Sequence, residues 1–127
     1  MILEETISDR ISRLNVCVII PTYNNSKTLE RVINGVLELT SNVLVINDGS
    51  TDATFEILKK YSQISVINVS KNQGKGNALR IGFKKTKELK FDHAITIDSD
   101  GQHFPDDIPV FLDALEQETK DIILIGS

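Results

Sequence analysis

Five short, largely apolar runs recur along this chain, each separated from the next by a segment of helical periodicity. The runs are Val16–Ile20, Val43–Ile46, Ser65–Val69, Ala94–Ile97 and Ile122–Ile125. They are continuous rather than alternating, which is the pattern of strands buried on both faces. Leu29, Val32, Ile33, Val36 and Leu37 fall on one helical face after the first run, with Asn25 or Ser26 placed to cap its start. Further helices are expected after Asp52 to about Tyr61, through Ala78, Leu79, Phe83 and Leu89, and through Ile108, Phe111, Leu112 and Leu115. Strand–helix alternation implies parallel pairing through right-handed crossovers. The fold class is therefore α/β: an open, mainly parallel, doubly wound sheet of the Rossmann-like kind.

Leu3, Ile7, Ile11 and Leu14 also recur at helical spacing. They predict a leader helix in residues 1–14, packed against the edge of a domain spanning residues 15–127. The leader holds too few basic residues for a surface anchor. The last apolar run ends almost at Ser127, with no later helix to cover it. The expectation is a domain truncated at its C-terminal end, or completed by a segment supplied elsewhere.

Fourteen Lys and Arg against 18 Asp and Glu give a net charge of −4. That balance argues against an extended nucleic-acid surface. It leaves phosphate ligands open, because a bound metal can invert the local charge. Cys17 is the only cysteine, so no intrachain disulfide can form. Its place in an apolar run makes it a buried small hydrophobe, in keeping with a reducing compartment. No apolar stretch approaches the roughly 18 residues of a membrane span, and no signal peptide is visible. A cytoplasmic location is expected, with attachment to the inner face of the membrane left to segments beyond Ser127.

In an open parallel sheet, ligands bind outside the carboxyl ends of the strands, where strand order reverses. The loops that follow strands are Pro21–Ser26, Asp48–Asp52, Ser70–Gly76 and Asp98–His103, all rich in small or polar residues. The sharpest is Asp98-Ser99-Asp100-Gly101-Gln102-His103. Two carboxylates two residues apart repel unless a cation intervenes, and hard carboxylate oxygens suit Mg²⁺ or Mn²⁺ shared with substrate phosphates. The bland alternative is a turn whose aspartates cap the next helix. Asp48-Gly49-Ser50-Thr51-Asp52 reads equally as a strand-end turn or as a place where Asp48 accepts from a nucleobase. Pro21-Thr22-Tyr23 is a simple turn or a rigid aromatic wall. Lys71-Asn72-Gln73-Gly74-Lys75-Gly76 sets cations and glycines before a helix N-terminus, which suits a phosphate, although it is not a P-loop. His93 begins a strand and reads as structural.

Taken together, these four loops resemble the family 2 glycosyltransferases of the GT-A fold, over nearly the whole chain from Asn15 to Ser127. The branch they look most like is dolichol-phosphate mannosyltransferase and its polyprenyl-phosphate relatives, because of Gln102-His103. The resemblance implies a cell-envelope enzyme taking a sugar from a UDP- or GDP-linked donor, with inversion and with a divalent cation as cofactor. It implies that Pro21, Thr22 and Tyr23 line the nucleotide, and that Asp48 bonds the base with Lys71 near base or ribose. Asp98 would approach the ribose or, through water, the metal. Asp100 would ligate the metal, making this pair the catalytic and metal residues. Gln102 and His103 would face the donor sugar, with Asn25, Gly74, Lys75 and Ser99 completing the donor site. Asn25 stands where that branch often has Glu, which removes one carboxylate from the first loop.

A hydroxyl acceptor would need a carboxylate base, whereas a lipid phosphate, already anionic near pH 7, would not. No base is evident, so either the acceptor is a phosphate, such as a polyprenyl phosphate, or the base lies beyond Ser127. Two other readings compete. A non-catalytic module would keep the donor pocket without turnover. A phosphohydrolase of the haloacid dehalogenase type would also use Asp-x-Asp-Gly, but usually on its first strand. A nicotinamide-binding domain is excluded, because the loop after the first strand contains no glycine.

Overall fold

The computed structural model describes residues 5–100, 107–117 and 123–125. A five-stranded parallel sheet has the order β3-β2-β1-β4-β5. Its strands are β1 (Val16–Thr22), β2 (Val43–Asp48), β3 (Ser65–Val69), β4 (His93–Thr96) and β5 (Ile123–Ile125). The helices are α1 (Ile7–Leu14), α2 (Ser26–Leu37), α3 (Thr54–Leu58), α4 (Lys75–Glu88) and α5 (Asp107–Glu116). This is the expected doubly wound α/β architecture, with the order reversing between β1 and β4.

Alternation along the strands sends side chains into two cores. Val16, Val18, Ile20, Val43, Val45, Ile95 and Ile97 face one side, under α1, α2, α3 and α5. Cys17, Ile19, Leu44, Ile46 and Ala94 face the other, under α4. Cys17 is buried as expected, and burial pushes its thiol up to about 11. β1 and β2 are buried along their whole length, whereas β3 is a half-exposed edge strand with Ser65 and Asn68 in solvent. Burial on both faces therefore holds for the central strands and fails at this edge. α3 is shorter than its sequence suggests, ending at Leu58.

The connection through α5 departs from the expected uniform handedness. β5 lies outward of β4, opposite in sense to the step from β1 to β2, yet α5 covers the same face as α2. The two crossovers are thus of opposite hand. α1 provides the reason, because it offers α5 both an apolar and an ionic partner. Ile11 joins Ile108, Leu112 and Leu115 in one core. Arg10 reaches Asp113 at 2.6 Å and Glu116 at 3.2 Å, while Arg13 bridges Glu5 and Glu116. The hydrogen bonds from Arg13 and Arg10 hold the Glu116 carboxyl below its usual range. α1 itself starts with a reciprocal cap between Thr6 and Asp9.

α4 sits close to the sheet because Gly82 faces it. A Cβ there would lie 2.9 Å from Ile19 Cγ2, whereas one at Gly76, in the same helix, meets open space. Gly82→Leu should therefore lower the unfolding free energy by about 1–3 kcal/mol through overpacking. Gly76→Ala should raise it by roughly 0.5–1 kcal/mol through helix propensity. Urea unfolding of the two variants checks the contrast, and equal effects would contradict this packing.

Candidate functional site at the strand reversal

Pro21 determines where the sheet opens. The β1–β4 ladder pairs Ile19 with Thr96, and the Ile97 amide then donates to the Ile19 carbonyl at 2.9 Å. Continuing that ladder would need an amide hydrogen from residue 21, which proline lacks. On the other side β1 stays paired with β2 as far as Thr22 and Asn47. The strand thus runs past Pro21 instead of ending there, as the sequence had suggested. β1 and β4 part at their carboxyl ends, and a cleft of about 360 Å³ lies there.

Four loops meet around the cleft. Pro21, Thr22 and Tyr23 come from the end of β1, with Tyr23 46% exposed. Asn25 follows, but its side chain does not cap α2. It donates instead to Ser99 Oγ at 2.6 Å, and the Thr28 hydroxyl donates to the Ser99 carbonyl at 2.5 Å. The amide of Ser26 is bound by Asp52 Oδ2, so the next loop supplies the cap that Asn25 does not. Asp98, Ser99 and Asp100 form the β4 wall, and Lys75 ion-pairs with Asp98 Oδ1 at 2.5 Å.

Asp48 is the most enclosed carboxylate of the site, 3% exposed. Its Oδ1 accepts from the Gln73 amide at 3.0 Å. Its Oδ2 accepts from the Gly74 amide at 2.9 Å and from Asn72 Nδ2 at 3.1 Å. The carboxylate thereby folds the 70–76 loop onto the end of β2. Gly49 allows the approach. Its φ is +71°, and a Cβ would lie 2.3 Å from the Asn72 nitrogen. Asn24, with φ +53°, ties the first loop to the second: its Oδ1 accepts from the Thr51 amide at 2.7 Å, and its own amide donates to Ser50 Oγ.

Of the residues singled out from sequence, Pro21, Thr22, Tyr23, Asn25, Asp48, Lys75, Asp98, Ser99 and Asp100 all line this cleft. Lys71 and Gly74 do not. Lys71 packs its backbone against Gly49, and Gly74 spends its amide on Asp48. Gln102 and His103 lie outside the described residues. Asn72 and Ala78 line the cleft without having been singled out. Asn72 carried a signal, a polar amide beside the loop glycines, whereas Ala78 showed only as a helix-core position. Among the described residues, no group of three or more His, Cys, Asp or Glu side chains is placed to hold a metal ion.

Residues 17–126 match the glycosyl transferase family 2. The UDP-N-acetylglucosamine–dolichyl-phosphate N-acetylglucosaminyltransferase of Methanococcus voltae is 32% identical, over 88% of this chain and 51% of that protein. The dolichol-phosphate mannosyltransferase of Pyrococcus furiosus is 35% identical, over 90% of this chain and 33% of that protein. Among solved structures, glucosyl-3-phosphoglycerate synthase of Mycobacterium tuberculosis in complex with uridine diphosphate superposes with a TM-score of 0.60. It is 28% identical and covers 79% of this chain and 40% of its own. The chain thus spans about half the length, or less, of the curated relatives it matches.

Gly49→Ala combines a left-handed backbone with a clash against main chain. It should cost about 2–4 kcal/mol in urea unfolding, and a cost under about 0.5 kcal/mol would contradict the close approach. Asp52 gives a pH signature. Burial pushes its carboxyl up, but hydrogen bonds from Thr54 and Ser26 together outweigh that push and hold it at about 2. A folded value below the unfolded one adds stability above the unfolded value, near ~4, which is lost as pH falls through the folded value. The stability gap between wild type and Asp52→Ala should be level from pH 7 to 5 and narrow between pH 4 and 2, by roughly those bounds. A gap unchanged at low pH would show that the carboxylate charge plays no part.

Proposed function

The chain belongs to glycosyl transferase family 2, and from that membership we propose that it transfers a sugar from a nucleoside-diphosphate donor, UDP- or GDP-linked, to a polyprenyl phosphate. The single observation that carries this reading is the convergence of the four post-strand loops on one cleft at the strand reversal. Family membership removes the haloacid dehalogenase alternative.

In this reading the nucleotide lies along Pro21, Thr22 and Tyr23, with the base toward Asp48. Three donors from the 72–74 segment fix that carboxylate, and its Oδ1, holding one of them, retains acceptor capacity for a base N–H. Lys71 guards the base or ribose end from outside the cleft. Gly74 keeps the loop shape, and Asn25 and Ser99 hold the first and fourth loops together. Gln102 and His103 take the donor sugar.

Family 2 enzymes of the GT-A fold generally use divalent cations. Asp98 and Asp100 supply hard oxygen donors, and Lys75 already neutralises one of them. This set fits Mg²⁺ or Mn²⁺ sharing its coordination with ligand phosphates, and not a cage made of protein alone. Such an ion would stabilise charge on the departing diphosphate. Lys75, at the start of α4 beside Asp98, adds a second positive charge at the same end of the cleft. A polyprenyl phosphate acceptor fits because it needs no base from the protein, and both named relatives are dolichyl-phosphate enzymes.

Calorimetric titration with UDP and GDP, in Mn²⁺ and then in EDTA, tests the donor site. Metal-dependent binding of one diphosphate is expected, and Asp100→Ala should weaken it at least tenfold while the variant keeps the circular dichroism of the folded chain. Binding that ignores both metal and Asp100 would overturn the metal assignment.

A further inference from the structure

Charge on this molecule is distributed unevenly. Seven of the 14 Lys and Arg lie within residues 71–90, against a single acid, Glu88, so that segment carries +6 in a chain of net −4. Most of the segment is α4, the helix that covers the second face of the sheet. Ala78, Gly82 and Thr86 face the sheet at four-residue intervals. Arg80, Lys84 and Lys87 take the opposite stripe, and all three are exposed. Lys71 precedes the helix and Lys90 follows it, and both are exposed. Among the described residues, Lys71, Arg80, Lys84, Lys87 and Lys90 have no carboxylate partner. The contrast with α1 matters, because both of its arginines are committed to Glu5, Asp113 and Glu116.

We propose that the outer face of α4 docks on an anionic lipid surface. Charge complementarity favours this partner. The stripe is straight, consists of long basic side chains and follows the outside of one rigid helix of 14 residues, roughly 21 Å long. A flat layer of anionic headgroups attracts each such charge independently. The cleft lies at the N-terminal end of the same helix, where Lys75 forms part of its wall. The use of this arrangement rests on the lipid-phosphate acceptor proposed above, but the docking itself is independent of the donor site.

The test is co-sedimentation of the 127-residue chain with vesicles of phosphatidylcholine alone or with about a third phosphatidylglycerol, an anionic lipid. Binding is expected only to the anionic vesicles and should be lost in high salt. Arg80→Gln, Lys84→Gln and Lys87→Gln together should weaken it roughly 100-fold, with the circular dichroism and diphosphate titration of wild type. Lys59→Gln with Lys60→Gln, both in the turn after α3, should leave it unchanged. Equal binding to neutral vesicles, retention of binding by the triple variant, or tighter binding to a short duplex RNA at the same salt would overturn the proposal. A chain that binds vesicles but no diphosphate would sink the donor site and leave this surface standing, and the reverse result would do the opposite.

Discussion

β1 carries hydrogen bonds to a neighbour on each side and is covered on both faces, and the candidate cleft opens at its carboxyl end. A strand so enclosed has no freedom to shift register, since a slip by one residue would exchange the two cores. The loop that leaves it is therefore launched from a fixed point. Pro21 then ends the pairing with β4 while leaving the pairing with β2 intact. The asymmetry opens the sheet on one side only, at the place where the strand order turns back.

The surrounding loops are held by polar contacts between loops more than by contacts within them. Asn24 reaches into the Ser50–Asp52 turn, Asp52 closes the start of α2, Asn25 and Thr28 hold Ser99, and Asp48 gathers the 72–74 segment. Each loop thus takes its shape from a neighbour, which suits a site that must present several polar groups at once. The described walls of the cleft are thereby preorganised before any ligand enters.

The alternation of apolar runs and helical periods made the fold class legible, because burial on both faces leaves no other economical pattern. The lining of the cleft was legible to a similar depth, since a parallel sheet sends every post-strand loop to the same edge. What stayed hidden depended on pairing across the chain. Nothing local in Asn25 shows that its amide will turn to Ser99 instead of capping α2. The use of Gly74 as a donor to Asp48, the outward position of Lys71 and the hand of the α5 crossover all follow from contacts with residues distant in sequence. The edge position of β3 is likewise a property of strand order, although its polar Ser65 and Asn68 hinted at it.

Cys17 lies beneath α4 on the second face of the sheet, buried among Ala78, Leu44 and Ile19. Its thiol is shielded, and burial keeps it protonated at neutral pH. A buried thiol reacts with an alkylating reagent only when its cover opens, so the rate of its modification reports opening of the second core, which α4 and the neighbouring Leu89 and Phe91 cover. The same helix carries Lys75 into the cleft and the basic stripe along its outside, so this native sulfur sits in the core that anchors both, with no probe added to the chain.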